Sequence, residues 1–404
     1  MMHDHAPGEF LNILVVNAGS SSLKLRLLGP DDSVLASVDL DVRAGQPEPA
    51  GVRAAIGGLA RLGASGVPGA VGHRIVHGGT AFVDPVVVTD PVAEELRALT
   101  VLAPLHQPAA LATLAMVRSA LPDVVQVACF DTAFHARMPP AAATYAVPAY
   151  WREQLGVRRY GFHGLSHAYA SQRAAVLARG SRVVTCHLGS GASLAAVRDG
   201  ACVDTTMGFT PLDGLVMSTR SGAVDPGLLL WLQTSAGMSV DDLTDALFHR
   251  SGLSALAGTG DMRTVVDRAA AGDPDASLAL AVYLHRLRAQ IAGMAAALGG
   301  LDTLLFTGGV GERSAVVRAG AVAGLGFLGV AVDPERNAAH TGAGHDGTAW
   351  GTAWGADRGT EPASGTAEAD ITATGSRVRT LVVEAREDLE IARGVRECLA
   401  MRRR

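Results

Sequence analysis

Hydrophobic positions in this chain fall into short apolar runs that alternate with longer segments of helical period. The runs "NILVVN", "LKLRLL", "PVVVTD", "VVQVACF", "RVVTCHLG", "TLLFTGG" and "RTLVVEA" are rich in Val, Ile and Leu. Two of them, "RVVTCHLG" and "TLLFTGG", close on Gly, as strands that end in a turn do. The clearest helical pattern is "DPDASLALAVYLHRLRAQIAGMAAALGG", which opens on acidic capping residues and closes on Gly299 and Gly300. Strands alternating with helices predict an α/β protein whose functional residues sit at strand ends. The segment at about 341–375 breaks the pattern with Gly, Ala, Thr and Ser and a tandem "GTAWGTAW". It reads as a flexible surface insertion, with binding through Trp350 and Trp354 as the alternative.

Composition narrows the function classes. With 404 residues, 48% hydrophobic and 18% charged, the chain has material for two or three well-buried domains. A formal charge of −5 gives no general attraction to nucleic acid or an anionic membrane. A small-molecule substrate is expected. The first ten residues, "MMHDHAPGEF", lack the basic and apolar regions of a leader, and no apolar run approaches a membrane span. The expected location is cytoplasmic. Cys129, Cys186, Cys202 and Cys398 show no CxxC spacing and read as buried free thiols.

Lys24 is the only lysine among 34 basic residues, and it follows the turn "NAGSSS". Closely spaced backbone N–H groups and three hydroxyls suit phosphate oxygens, and a compact ammonium reaches into a tight turn where a planar guanidinium clashes. The plainer reading is a polar hairpin tip with a solvent-facing lysine. No GxxxxGK[ST] is present, so this is not a P-loop. "CHLGSGAS" and "FTGGVGERS" repeat the theme of a Gly-rich turn after an apolar run, and three such turns point to nucleotide phosphates. "GHRIVHGG" brings Arg74, "FDTAFH" Asp131, "YGFHGLSH" His163, and "MSTRSGAVDP" Arg220. Phosphoryl transfer needs cations on the moving group and a carboxylate to hold a metal or orient the nucleophile. Taken singly, His163 also reads as a core histidine and either arginine as a surface ion-pair residue.

In order and spacing, "VVNAGSSSLK", "GHRIVHGG", "LAPLHQP", "FDTAFHARMP", "YGFHGLSH", "CHLGSGAS", "MGFTPLDG" and "TRSGAVDP" resemble the signature blocks of the acetate and propionate kinase family. The resemblance implies the acetate and sugar kinase, Hsc70 and actin fold, with two ribonuclease-H-like domains and an active-site cleft between them. It places one domain at 1–135 plus 386–404 and the other at 136–385. It also implies ATP and ADP, Mg²⁺ or Mn²⁺, a homodimer, and phosphorylation of a short-chain carboxylate, with acetate ahead of propionate. A nucleotide-binding module without turnover is the alternative of a different class.

Residue by residue, the resemblance makes Arg74, Asp131, His163 and Arg220 catalytic and lines the acid pocket with Val76, Leu105, Phe162 and Pro211. It places Ser20, Ser22, Lys24, His187, Gly189, Ser190, Gly191, Asp261, Met262, Arg263, Gly309, Val310 and Gly311 at the nucleotide, and Asn17 and Glu387 at the metal. Where the family usually has asparagine, this chain has Gln107, Ser190, Gly260, Arg313 and Arg386, although Asn17 remains. Ser190 has the shorter reach of a hydroxyl, and Arg313 and Arg386 add charge where a neutral amide is expected.

Overall fold

The structure, a computed structural model, describes residues 11–19, 22–41, 49–62, 68–104, 107–340 and 368–402. Ser20, Leu105 and residues 341–367 of the expected insertion therefore lie outside the described residues. The chain divides into two compact units. One comprises the described residues of Met1–Ala136, Gly164–Tyr169 and Arg386–Arg404, the other those of Arg137–His163 and Ala170–Ala385.

The first unit holds a six-stranded sheet of β1 (Ile13–Ala18), β2 (Ser22–Leu28), β3 (Val34–Asp41), β4 (Ala70–Ile75), β5 (Val86–Val87) and β6 (Val125–Phe130), ordered β3-β2-β1-β4-β6-β5. β1, β4 and β6 run parallel, so their C-terminal ends share one edge. Alternation along β1 shows why the sequence builds two layers. Ile13 and Val15 pack on one face with Ile391, Ala392 and Val395 of the helix Glu387–Met401. Leu14 and Val16 pack on the other with Val52, Ile56 and Leu59 of the helix Pro49–Leu62. Burying each such side chain contributes roughly 1.5–3 kcal/mol. The Glu387–Met401 helix approaches β4 at Gly72, where a Cβ would stand 2.5 Å from Ile391 Cγ2 and 2.7 Å from Val395 Cγ2. Any larger residue there would push the helix off the sheet.

The second unit repeats the plan. Its sheet contains β7 (Arg182–Leu188), β8 (Ala192–Arg198), β9 (Ala201–Thr205), β10 (Thr303–Thr307), β11 (Ala369–Asp370) and β12 (Arg379–Val382), ordered β11-β12-β10-β7-β8-β9. In each sheet a three-strand antiparallel meander leads into two further parallel strands and ends on a two-residue antiparallel edge. β7 thus occupies the place of β1, and β10 that of β4. The long helical pattern forms Pro274–Leu298, capped by Asp273 through the amides of Asp275 and Ala276 and stopped by Gly299 at φ 69°. The final part of the expected insertion, from residue 368, enters the sheet edge as β11. All four cysteines are buried and free.

Two buried histidines give the first unit a pH signature. His73 is fully buried, and its Nε2 lies 2.7 Å from Gln126 Oε1. The Gln126 amide nitrogen donates to the carbonyls of Leu121 and Val124, so Oε1 accepts and His73 Nε2 donates. Burial lowers both His73 and His77 to about 4. The unfolded chain, titrating near 6.5, binds more protons between about pH 6.5 and 4, so stability falls as pH falls through that window. Urea unfolding midpoints should drop accordingly. His73→Gln should reduce the slope, by up to ~1.4 kcal/mol per pH unit, and an unchanged slope would rule out His73 as a source.

Candidate active site

The shared edge of β1, β4 and β6 assembles the first cluster. Asn17 lies near the end of β1, Arg74 near the end of β4, and Asp131 directly after β6. Arg74 Nε and Nη2 both donate to Asp131 Oδ2, at 3.0 and 2.6 Å, and Nη1 donates to Asn17 Oδ1 at 3.4 Å. Asn17 Nδ2 in turn donates to Glu387 Oε2 at 2.7 Å. Asp131 is completely buried, and its second oxygen, Oδ1, has no hydrogen-bond partner among the described residues. Burial pushes the Asp131 carboxyl up against the pull of Arg74. Burial would lower the Arg74 guanidinium, but the charges of Asp131 and Glu387 outweigh it and hold it above its usual range. Two N–H donors on one oxygen favour the carboxylate form.

The backbone around this pair is also fixed. Asp131 N–H donates to the Ile75 carbonyl at 3.0 Å, Gly78 N–H to Thr132 Oγ1 at 3.0 Å, and Gly164 N–H to the Asp131 carbonyl at 2.8 Å. A Cβ on Gly164 would overlap that carbonyl. Val76, two residues past Arg74, is buried. Lys24 stands opposite Asn17 in the β1–β2 register, hence on the same face, with its side chain exposed.

The second unit carries its own cluster. His163 caps the helix Gly164–Leu177 in the left-handed conformation, φ 56° and ψ 25°. That backbone is costly for a residue with a Cβ and concentrates at functional positions. Its Nδ1 lies 2.9 Å from Ser193 Oγ, and its ring stacks on His187 with centroids 4.4 Å apart. Arg220 Nη1 donates to the carbonyl of buried Pro211 at 2.9 Å. Gly191 lies beside both side chains. A Cβ there would stand 3.2 Å from His163 Nε2 and 3.5 Å from Arg220 Nη2. Phe162 is fully buried.

The loop carrying Pro211 is held by residues that the sequence pattern alone did not mark. Arg159 Nη1 donates to the carbonyls of Thr205, Thr206 and Met207, and Tyr145 Oη accepts from Phe209 N–H at 3.0 Å. The β7–β8 turn brings Gly189 N–H to the Gly191 carbonyl and leaves Ser190 exposed, its carbonyl accepting from Ser218 N–H at 3.1 Å. Ser218 Oγ donates to the Gly260 carbonyl at 2.8 Å. A Cβ on Gly260 would stand 3.0 Å from Ser218 Cβ and Ser254 Oγ, so the missing side chain leaves room for this bond.

The Gly-rich turn after β10 begins at Gly308, at φ 77° against the Leu188 carbonyl, a position that only glycine fills without strain. Gly309 is exposed, while Val310 and Gly311 are buried. Wholly buried Arg318 donates to the carbonyls of Gly311 and Glu312 from below, and burial lowers its guanidinium to about 10. Glu312 accepts from Ala385 N–H at 2.9 Å. Asp261 is exposed and caps the helix Met262–Ala270 through Arg263 N–H; Met262 is buried and Arg263 half-buried. Arg386 pairs with Asp388, which offsets the added positive charge at that departure.

The sequence profile of the Acetokinase family matches residues 67–349. The acetate kinase of Synechococcus sp. (strain JA-2-3B'a(2-13)) is 42% identical, over 95% of this chain and 98% of that protein. Among solved structures, a propionate kinase from Francisella tularensis subsp. tularensis SCHU S4 superposes with a TM-score of 0.82 at 33% identity, covering 95% of this chain and 99% of that one. The Porphyromonas gingivalis acetate kinase gives 0.81 at 32% identity, covering 96% and 100%. Fold, strand order and sequence agree: the α/β architecture is that of the acetate and sugar kinase, Hsc70 and actin class, and the chain belongs to the acetokinase family.

Proposed function

We infer that this protein is an acetate kinase: it transfers the γ-phosphate of ATP reversibly to a short-chain carboxylate, acetate first, giving the acyl phosphate and ADP. The observation that carries this reading is the buried Asp131 carboxylate gripping Arg74 by two hydrogen bonds. It fixes a cation without exposing a nucleophile. A carboxylate substrate is already ionised at neutral pH, so it needs positioning and charge neutralisation rather than a general base. Arg74 and Arg220 supply positive charge for the acid and the phosphoryl group. His163, held by Ser193 and His187, supports the transferring group through the ring edge nearest Gly191. Propionate is the second acid in this reading, because a propionate kinase shares the fold so closely.

A divalent cation fits the first cluster. Among the described residues no group of three or more His, Cys, Asp and Glu is arranged around a metal. The unpartnered Asp131 Oδ1, with Asn17 and Glu387, instead offers a few hard oxygens of the kind Mg²⁺ uses when it keeps most of its waters. Bound there, Mg²⁺ would neutralise phosphate charge. The turns at Ser20, Ser22 and Lys24, at Gly189 to Gly191, and at Gly309 to Gly311 are assigned to ATP and ADP, with Asp261, Met262 and Arg263 toward the adenosine. Val76, Leu105, Phe162 and Pro211 are assigned to the acid's alkyl group.

The helix Pro226–Thr234 has no buried residue, although Leu230 is 63% and Trp231 56% exposed. That apolar surface supports a homodimer. Four buried free thiols suit the cytoplasm, where thiols stay reduced. Among the described residues no helix is long and apolar enough to cross a membrane.

Three measurements test the assignment. ATP-dependent acyl phosphate trapped with hydroxylamine should appear with acetate, and no product with any acid from acetate to butyrate would reduce the protein to a nucleotide-binding module. His163→Ala and Arg220→Ala should each lower kcat on the order of 10²–10³-fold, with a smaller effect on KM for ATP; near-normal kcat in folded variants would make both residues structural. Gly191→Ala should cost roughly 10–10²-fold in kcat with an unchanged melting temperature, since its methyl crowds a histidine already held on two sides. For the dimer, light scattering should report twice the chain mass for the parent and one chain mass for Trp231→Asp. A monomeric parent would remove the dimer from the account.

A further inference from the structure

Gln107, the first residue of the helix Gln107–Ala120, is wholly buried. Its carboxamide lies along the backbone of His77, with Oε1 accepting from His77 N–H at 3.2 Å and Nε2 donating to the His77 carbonyl at 3.1 Å. Nε2 also donates to the Leu96 carbonyl at 3.4 Å. One side chain thus does for His77 what a neighbouring strand would do, two residues after β4 has ended.

This clamp completes a set of restraints on one short segment. Asp131 N–H holds the Ile75 carbonyl, and Thr132 Oγ1 holds Gly78 N–H. Between them, His77 N–H belongs to the peptide whose carbonyl is that of Val76. Fixing it fixes the plane that follows the Val76 side chain. Val76 is β-branched and has little χ1 freedom of its own, so its methyl groups go where the backbone directs them.

We propose that Gln107 is a positioning residue that sets, through Val76, the length of carboxylate the enzyme prefers. The proposal rests on the assignment of Val76 to the acid pocket in the preceding subsection. The role requires both a donor and an acceptor at this reach. Asparagine is one methylene shorter and cannot keep both bonds, whereas glutamate keeps the reach and the acceptor but, when ionised, loses the donor.

The test measures kcat/KM for acetate, propionate and butyrate in the parent, Gln107→Asn, Val76→Ala and the double variant. Hydrogen exchange over residues 76–79 is followed in parallel. Gln107→Asn should change the acetate-to-propionate ratio by roughly tenfold, the scale of one methylene in an apolar pocket, leave KM for ATP unchanged, and speed exchange of the His77 amide. In the Val76→Ala background the same substitution should no longer move the ratio, because its effect passes through Val76. If Gln107→Asn does not fold, Gln107→Met, which keeps the length without either polar group, provides the same comparison. Turnover with an unmoved ratio, or an equal change with Val76 removed, overturns this inference alone. Absence of turnover by the parent on all three acids overturns the reading of the reaction itself, and the exchange of His77 then still reports whether the clamp exists.

Discussion

The first unit is organised around the contact of Arg74 with Asp131. Asp131 is wholly withdrawn from water, and an isolated carboxylate there would be strongly disfavoured. The guanidinium offsets this with two hydrogen bonds to one oxygen and passes a third to Asn17. Removing one partner of such a pair costs about 3–5 kcal/mol, because the other charge is left buried and unmatched. The geometry depends on the fold beneath it. β4 and β6 pair in parallel with Arg74 beside Cys129, so Asp131, two residues further on, follows on the same face. Slipping either strand by one residue would turn one of the two charges to the opposite side of the sheet.

The two sheets share a strand order, yet they use their strand ends differently. The first places side-chain charges at the ends of β1, β4 and β6. The second places glycine-rich turns after β7 and β10, with a strained His163 stacked beside one of them. Glycine-rich turns dominate one cluster and paired charge the other. Arg318 and Arg159 extend the same logic inward. Each spends a guanidinium on backbone carbonyls and so holds a loop in place.

Much of this architecture was legible in the amino-acid sequence, and what was not has physical reasons. Val- and Leu-rich runs marked β1, β2, β5, β6, β7, β10 and β12; β1, β6, β7 and β10 are nearly continuous in apolar residues because they are buried on both faces, whereas β2 alternates, with Lys24 exposed. β3 escaped notice, since it lies at the sheet edge with Val34 and Leu35 exposed and polar residues between its apolar ones. β4 was noticed for Arg74 between His73 and His77, but Gly72 and His73 hid its strand character; the glycine is there for a helix distant in sequence. β8, "ASLAAVR", is too rich in small residues to read as a strand. The chemistry-bearing blocks were visible through their motifs. The supporting roles of Gln107, Thr132, Ser193 and Arg159 were not, because these residues act through contacts far along the chain. Lys24, conspicuous by composition, is a solvent-exposed strand residue opposite Asn17.

Arg74 and Asp131 act as one unit, and a double-mutant cycle addresses that most directly. Arg74→Gln, Asp131→Asn and the double variant would be compared in kcat/KM for the carboxylate, with folding confirmed by thermal melts. If Asp131 works by holding Arg74, each single change should remove most of the activity and the double variant should be no worse than the poorer single one. Losses that multiply, with the double variant impaired by the product of the two single effects, would show that the two residues act independently and would contradict the account.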